Sequence, residues 1–307
     1  MAQYIIRRLL QLIPITLGIM TLIFSLIHMI PGDPAVQIAG EGARPEDVIA
    51  IRKALGLDQP LWSQYVHYLG RLAHGDLGVS FRTSTPVAQE IMHRYPATME
   101  LAFGAMFVAI LVAFPLGMIS AIYRNSWIDN VARFFALIGV SMPSFWFGPL
   151  LIIAFAINHT WFPVSGRDEG LRSLVLPAVT MGLALSAILT RMIRVSVAEE
   201  LNQLYMTTAI AKGVTRIKAI FRHALKNALI PVITVLALQF GSLLTGAIIT
   251  EQIFSWPGLG RLLITSINTR DYPQVQASIL VIAVTYILVN FISDLLYAVV
   301  DPRIKLE

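Results

Sequence analysis

The sequence predicts an all-α integral membrane protein with six transmembrane helices and both termini in the cytoplasm. Three observations lead to this class. The chain of 307 residues is 56% hydrophobic and only 13% charged, whereas soluble domains carry about a quarter charged residues. Six apolar runs contain no charged residue, and Lys and Arg are distributed unevenly among the segments that connect these runs.

Each of the six runs is long enough to cross a bilayer, because about 20 helical residues at about 1.5 Å per residue span the hydrocarbon core. Backbone groups in lipid must bond within their own segment, so the runs are predicted to be helices. The first run follows two arginines but is too long for an export signal, and we interpret it as a retained helix. The predicted spans are Leu9–Gly32, Leu101–Tyr123, 134–157, Ser173–Thr190, Asn227–Thr250 and Tyr272–Ser293.

The distribution of positive charge predicts the orientation of the chain. The segments 1–8, 123–133, 191–228 and 301–307 carry 13 Lys or Arg in 64 residues, and the short loops 158–173 and 251–276 carry 4 in 42. Cytoplasmic loops hold the excess of Lys and Arg, so both termini and the loop 191–228 are expected in the cytoplasm. The net charge of +5 is then a signal of topology, with the lipid bilayer as partner and no nucleic acid.

These spans divide the chain into four parts: an N-terminal helix (1–30), an extracytoplasmic loop (31–98), a five-helix core (99–299) that contains the loop 191–230, and a cytoplasmic tail (300–307). The extracytoplasmic loop has proline-initiated helix starts, which predict short helices at Pro45–Leu55 and Pro60–His74. We interpret these helices as a structural cap, with a docking role as the alternative. Tyr95-Pro96 is expected to break the chain before the second span.

Inside the predicted spans, prolines are expected to bend the helices at positions 115, 143, 149 and 177, because proline leaves a carbonyl unpaired. The polar residues there are few and uncharged, with Glu251 and Asp294 near the span ends. They either hold helices together or line a mildly polar path. The candidates for lining the path are Ser141, Ser144, Thr180, Ser186, Gln239, Ser242 and Thr245.

The sequence contains no motif for catalysis, metal binding or nucleotide hydrolysis. The sequence has no phosphate-binding loop, no zinc-protease motif, no nucleophile elbow and no cysteine, so we expect neither catalysis, nor a metal site, nor a cofactor in this chain. A stand-alone secondary carrier or channel is one alternative, although such carriers usually place charges at mid-membrane. An intramembrane enzyme is another, but it would need a catalytic pair that we do not find.

The loop 191–231 is longer than orientation requires. Glu199 and Glu200 suggest a helix start, and Ala209 and Gly213 would share one face of a helix. An apolar stripe with helical spacing follows: Ile217, Ile220, Phe221, Ala224 and Leu225. Basic residues surround it at positions 212, 216, 218, 222 and 226. The loop either lies on anionic lipid or forms an ordered element that buries one face against another protein.

The same loop resembles the coupling motif of ABC importer permeases, a short cytoplasmic helix that sits in a cleft of the ATPase subunit. The matching positions are Thr207, Thr208, Ala209 and Gly213, followed by Ile230-Pro231. The family's first Glu and Ala are absent, as in its peptide and nickel branch, whose members read much like TARAKG…RHALRNALIP. Further matches to that branch run along the chain: Pro31-Gly-Asp33-Pro34, Gly75-Asp76-Leu-Gly78, Phe254-Ser-Trp256-Pro257-Gly258 and Asp301-Pro302-Arg303.

The resemblance is to the first, B-type permease of dipeptide, oligopeptide, glutathione and nickel importers, and it implies the type-1 importer permease fold in a bacterial inner membrane. It also implies a heterodimer with a second permease, two ABC ATPase subunits that bind ATP and Mg, and a periplasmic or lipid-anchored substrate-binding protein. Short peptides are the expected cargo, with glutathione or a nickel chelate as alternatives. The residues expected to couple to the ATPase are Thr207, Thr208, Ala209, Lys212, Gly213, Arg216, His223, Asn227 and Pro231.

Overall fold

The computed structural model describes residues 2–29, 33–40, 42–54 and 56–300. Over these ranges the chain is helical, and a bridge between Val79 and Pro86 is the one β pairing. Residues 31, 32 and 301–303 of the branch motifs, Leu55, and nearly all of the predicted tail lie outside the described residues. The helices are α1 (Ala2–Met29), α2 (Pro34–Ala39), α3 (Pro45–Ala54), α4 (Leu61–Ala73), α5 (Val87–Ile122), α6 (Trp127–Ser141), α7 (Ser144–Leu151), α8 (Leu171–Leu201), α9 (Leu204–Ala211), α10 (Arg216–Ala219), α11 (Leu225–Ile253), α12 (Leu259–Asn268) and α13 (Tyr272–Val300).

In the described part of the chain, five helices are long and apolar enough to cross a membrane: α1, α5, α8, α11 with the turns that precede it, and α13. The number rises to six if α6 and α7 form one span. The six predicted spans therefore each have a helical counterpart, and the all-helical class is confirmed. The two helices predicted in the segment 31–98 are present as α3 and α4.

The third span differs from its prediction. It begins at Trp127 rather than Phe134, because Ser126 caps α6 by accepting a hydrogen bond from the Asp129 amide at 3.3 Å. The expected bend is a break of 99° between α6 and α7. Proline disfavours the helical conformation of the residue before it, and Met142 before Pro143 is accordingly extended, with φ −88° and ψ 114°. A π-helical turn, Ile152–Ile157, continues α7.

The predicted break at Tyr95-Pro96 is wrong, because α5 continues through both residues. Proline at position 96 removes the bond to the carbonyl of Met92. Met92 is 76% exposed, so this part of the helix lies at the surface, and the loss of one bond there does not end it.

The predicted start of the loop at residue 191 and the helix start at Glu199 and Glu200 are also wrong. Both glutamates lie in the last turns of α8, which ends at Leu201. The helix continues past its charged residues because Ile193, Val197 and Ala198 still point into the protein, at 3%, 1% and 6% exposure.

The residues fall into two compact units, and the first comprises 98–257 and 288–300 of the described chain. Helix α8 is its centre and packs against α6, α7 and α11. Small residues allow helices to approach closely in membranes. A Cβ atom placed on Gly182 would lie 2.6 Å from the Ala105 carbonyl oxygen and 2.8 Å from the Cβ of Val108. The packing of α8 on α5 therefore requires glycine at this position.

Replacing Gly182 with alanine is expected to destabilise the protein by about 1–3 kcal/mol, because the new methyl group meets a backbone atom that cannot rotate away. The melting temperature of the purified protein in detergent should fall. Gly246→Ala is the matched control, since the nearest atom to its new methyl group is Met181 Cε at 3.9 Å. Equal melting temperatures for the two variants would contradict the packing described here.

The second unit comprises residues 2–97 and 258–287 of the described chain. The ring of Phe24 in α1 lies 5.2 Å from the ring of Tyr65 in α4, and the hydroxyls of Thr21 and Tyr65 are hydrogen-bonded at 2.6 Å. A separate apolar cluster joins α5, α12 and α13 through Val87, Ile91, Leu259, Leu262 and Ala277. The Ser80 hydroxyl donates to the Asp271 carboxylate at 2.5 Å and thereby ties the turn after α4 to the start of α13.

Candidate coupling site

The connection between α8 and α11 is an ordered structure of two short helices, α9 and α10. The Asn202 side-chain amide donates to the Ala198 carbonyl at 2.9 Å and closes the end of α8. Gln203 is extended and directs the chain into α9. After α10, a π-helical turn, Ile220–Ala224, leads directly into α11. The prediction of an ordered element in this loop is confirmed.

Gly213 ends α9 through a Schellman motif. Its φ is +89°, a left-handed conformation that glycine adopts without strain. Its amide donates to the Ile210 carbonyl at 2.9 Å, and the Val214 amide donates to the Ala209 carbonyl at 3.2 Å. The expectation that Ala209 and Gly213 share a helical face is therefore wrong, because Gly213 lies beyond the helix and reverses the chain.

Three side chains connect α8, α9 and α11. The Tyr205 hydroxyl donates to the Glu200 carboxylate and accepts a hydrogen bond from the Asn227 amide at 3.4 Å. Burial, together with the neighbouring Glu200 carboxylate, raises the pKa of Tyr205, so the phenol stays protonated as a donor. Met206 is 2% exposed and anchors the inner side of α9. The first turn of the short helix is thus tied to both α8 and α11 through Tyr205.

The outer side of α9 is exposed along its whole length. Leu204, Thr207, Thr208 and Ala211 follow the spacing of one helical face, and all four are exposed. We call these four residues the docking face. Leu204 is 84% exposed, although leucine is usually buried in a soluble environment. The positive charges predicted around the loop, Lys212 and Arg216 among them, are also exposed.

The apolar stripe predicted from 217 to 225 is divided in the structure. Ala219, Ile220 and Ala224 are buried at 2% exposure or less, whereas Ile217 and Phe221 are 72% and 55% exposed. Ile217 and Phe221 lie one turn apart on the exposed side of the segment, whereas Ile220 and Ala224 lie one turn apart on the buried side, so the predicted stripe covers two sides. Two large apolar side chains therefore point outward beside the docking face.

The structure places the remaining predicted coupling residues around α9. Asn227 contacts Tyr205, His223 lies half-buried in the π-helical turn, and Pro231 lies within α11. Ala209 is half-buried on the inner side of α9. Thr207 and Thr208 lie on the docking face, together with Leu204 and Ala211, which the family pattern did not indicate.

The residues predicted to line a path are not all equally placed for that role. Thr180 and Ser186 are buried at 2% and 5% exposure and donate to the carbonyls of Leu176 and Leu183 in their own helix. Ser242 and Thr245 are exposed and Gln239 is half-buried, all within two turns of α11. Ser141 is exposed and Ser144 half-buried, on the two sides of the break between α6 and α7.

Sequence inspection missed the buried ion pair between Asp129 and Arg194. Asp129 is fully buried and receives bonds from Arg194 Nε at 2.7 Å and Nη2 at 2.8 Å. The Ser120 hydroxyl and the Asn125 amide also donate to this carboxylate, at 2.5 and 3.0 Å. A second buried carboxylate, Glu251, accepts from the Thr98 hydroxyl at 2.6 Å. The Ser-x-x-Asp spacing at 126–129 was the one available signal, and it indicates a helix cap rather than a buried pair.

The described chain combines several membrane-length helices, one broken span and an exposed short helix between two spans, which is the arrangement that the resemblance to permeases predicts. The chain matches the model of the family described as binding-protein-dependent transport system inner membrane component over residues 113–306, and the N-terminal model of that family over residues 1–102. The chain belongs to this family of ABC importer permeases, and it is a multi-pass inner-membrane protein.

Among its curated relatives, the chain is 44% identical over 336 residues to the dipeptide transport system permease protein DppB of Escherichia coli K12, covering 99% of each chain. It is 44% identical over 332 residues to DppB of Alkalihalophilus pseudofirmus, covering 99% of this chain and 100% of the relative. It is 43% identical over 305 residues to the glutathione transport system permease protein GsiC of Escherichia coli K12, covering 99% of each. The resemblance to the peptide branch is confirmed.

Solved structures show the same fold at low sequence identity. An inward-facing structure of the MetNI methionine ABC transporter matches with a TM-score of 0.59 at 16% identity, covering 69% of this chain and 97% of that one. An amino acid ABC transporter matches with a TM-score of 0.55 at 16% identity, covering 68% and 94%. The type-1 importer permease fold is confirmed by these matches.

Proposed function

We propose that this chain forms half of the path by which an ATP-driven importer carries short peptides across the inner membrane. Its relatives over the full length transport dipeptides and glutathione by their names, and both are short peptides with free carboxylates. A common cargo class for relatives at this identity supports the same class here.

We propose that an ATPase subunit binds to the docking face. This face presents two apolar residues and two threonines on a helix that Met206, Tyr205 and Asn227 hold against the rest of the protein. A movement imposed on α9 is thereby passed to both α8 and α11. The exposed α9, whose first turn is tied to α8 and α11 through Tyr205, is the single observation that carries this proposal.

The chain itself is proposed to be non-catalytic, with ATP and Mg bound by two separate ABC ATPase subunits. A second homologous permease would complete the path, and a periplasmic or lipid-anchored binding protein would deliver the peptide. We propose that both termini and α9 face the cytoplasm, as the excess of Lys and Arg on those segments indicates. The α11 residues Gln239, Ser242 and Thr245 are the better-placed candidates for lining the path, because they are not enclosed within the chain.

Reconstitution of the chain in liposomes tests this function. With its sister permease, the ATPase subunits and the binding protein, the proteoliposomes should accumulate labelled dialanine only when ATP is present. Omission of the binding protein or of the ATPase subunits should remove accumulation. Uphill uptake by the chain alone would contradict the proposal and favour a stand-alone carrier.

A further inference from the structure

Helix α4 carries an apolar stripe that the described part of the chain leaves largely exposed. Its residues follow the helical spacing i, i+4, i+7, i+11, and we call them the α4 apolar face: Trp62, Val66, Leu69 and Ala73. Trp62 and Val66 are 73% and 51% exposed, Ala73 is exposed and Leu69 is half-buried. Single exposed apolar residues are common, but a stripe that runs over three turns marks a surface for interaction.

The neighbouring side of α4 is polar. It has the same spacing shifted by one residue, and its members are all exposed: Ser63, His67, Gly70 and His74, with Arg71 beside them. Helix α4 contains no acidic residue. The third side is held inward by Tyr68, which is 6% exposed. An apolar side with a tryptophan next to a polar side with basic residues is typical of a helix that lies in the surface of a membrane.

Contacts with α1 place α4 at the end of a membrane span. The hydroxyls of Thr21 and Tyr65 are hydrogen-bonded at 2.6 Å, and His28 Nε2 and Gln64 Oε1 are hydrogen-bonded at 3.2 Å. The candidate span in α1 is Ile6–Leu26, so these contacts lie at its last turns, where hydrocarbon gives way to lipid headgroups.

The same two hydrogen bonds indicate how α4 is oriented. Gln64 and Tyr65 are adjacent in the chain, whereas their partners His28 and Thr21 are seven residues, or about 10 Å, apart along α1. Adjacent residues that reach so far up and down a neighbouring helix show that α4 crosses α1 rather than running alongside it. A helix that crosses the end of a span lies along the membrane surface.

The span that α4 crosses has little protein around it within the described chain. Only 6% of the most apolar window of α1 is buried, and Leu22 and Leu26, in its last turns, are 59% and 51% exposed. Lipid surrounds such a surface when the span is in a bilayer. The α4 apolar face, in the same compact unit, therefore lies next to a surface that already contacts lipid.

We propose that α4 lies in the membrane surface at the C-terminal end of α1, with its apolar face inserted among lipid acyl chains. Its polar side then faces headgroups and water, and Trp62 occupies the boundary at which tryptophan is enriched in membrane proteins. The bilayer thereby fixes the position of the segment between α1 and α5. This inference does not depend on the cargo of the transporter.

Spin labels on single cysteines test this placement, because the chain contains no cysteine of its own. The labels are placed in the assembled permease–ATPase complex, with cysteine-free partner subunits, in nanodiscs of phosphatidylcholine and phosphatidylglycerol. Power saturation with oxygen, which is enriched in lipid, and with a water-soluble nickel chelate reports the depth of each label. We expect the label of Val66→Cys to lie about 5–10 Å below the headgroup level. Ser63→Cys, which is exposed on the polar side of the same helix, is the matched control and should remain accessible to the nickel chelate.

Ala73→Cys is a second probe of the apolar face, two turns beyond Val66, and its label should also favour oxygen. Equal depths for the labels at positions 66 and 63 would overturn the proposal. Shielding of the labels at positions 66 and 73 from both oxygen and the nickel chelate would overturn it as well, because that result would place another protein subunit over the face.

Discussion

Replacing Thr208 with arginine is expected to reduce ATP-driven dialanine uptake by at least about tenfold, a loss of about 1.4 kcal/mol or more at the docking face. Thr208 lies at the centre of that face, and its hydroxyl donates to the Leu204 carbonyl of its own helix at 3.0 Å. It therefore contributes no contact to the rest of the chain that arginine would break. The long charged side chain would project into the surface that the ATPase subunit is proposed to occupy.

Thr265→Arg is the matched control for this experiment. Thr265 is also an exposed helical threonine, and its hydroxyl donates to the Arg261 carbonyl at 2.9 Å. Uptake and the size of the assembled complex are measured for both variants. We expect Thr208→Arg to lose the ATPase subunit on size-exclusion chromatography and Thr265→Arg to retain it. Normal uptake in Thr208→Arg would show that the ATPase binds elsewhere.

Replacing Asp129 with alanine is expected to destabilise the protein by about 3–5 kcal/mol, because Arg194 would remain as a largely buried charge without its partner. Arg194 is only 17% exposed, so water cannot fully replace the lost carboxylate. The Ser120 hydroxyl and the Asn125 amide also lose their acceptor. The melting temperature in detergent should fall by at least about 5 °C, with a lower yield of folded protein in the membrane.

Arg133→Ala provides the comparison within the same cluster. Arg133 also pairs with Asp129, at 3.4 Å, but its side chain is 52% exposed. Solvent screens such a pair, and its loss should cost about 0–1 kcal/mol at most. A similar fall in melting temperature for Asp129→Ala and Arg133→Ala would show that burial does not govern this cluster.

The membrane spans were predictable because hydrocarbon imposes a simple condition on them. A run of about 20 apolar residues must form a helix, whatever its neighbours are. The bounds were less predictable where charge was used to mark an end, as at Arg191. Helix α8 continues past Arg191 to Leu201, and the next arginine, Arg194, is neutralised by Asp129 of α6, a residue 65 positions away.

The candidate coupling site was also predictable only in part: local sequence located α9, and contacts with distant residues decided which of its sides is buried. The family pattern located α9 through Thr207, Thr208 and Gly213, and glycine at the helix end could be expected from capping rules. The pattern did not reveal which side of α9 is held inward. The burial of Met206 and the hydrogen bond between Asn227 and Tyr205 decide that. Ile217 and Phe221 are exposed, although the apolar spacing predicted them on the buried face.

By itself, the amino-acid sequence determined that this protein crosses a membrane several times, that it belongs to the importer permeases, and that an ordered element lies between its fourth and fifth spans. These properties depend on local composition and short motifs, which act through the solvent and through neighbouring residues. Only the tertiary structure decided the burial of Asp129 against Arg194, the exposed side of α9 and the close packing of α8 on α5 at Gly182. Each of these depends on contacts between side chains that are far apart in the sequence. Burial and charge pairing at such contacts cannot be deduced from the spacing of residues along the chain.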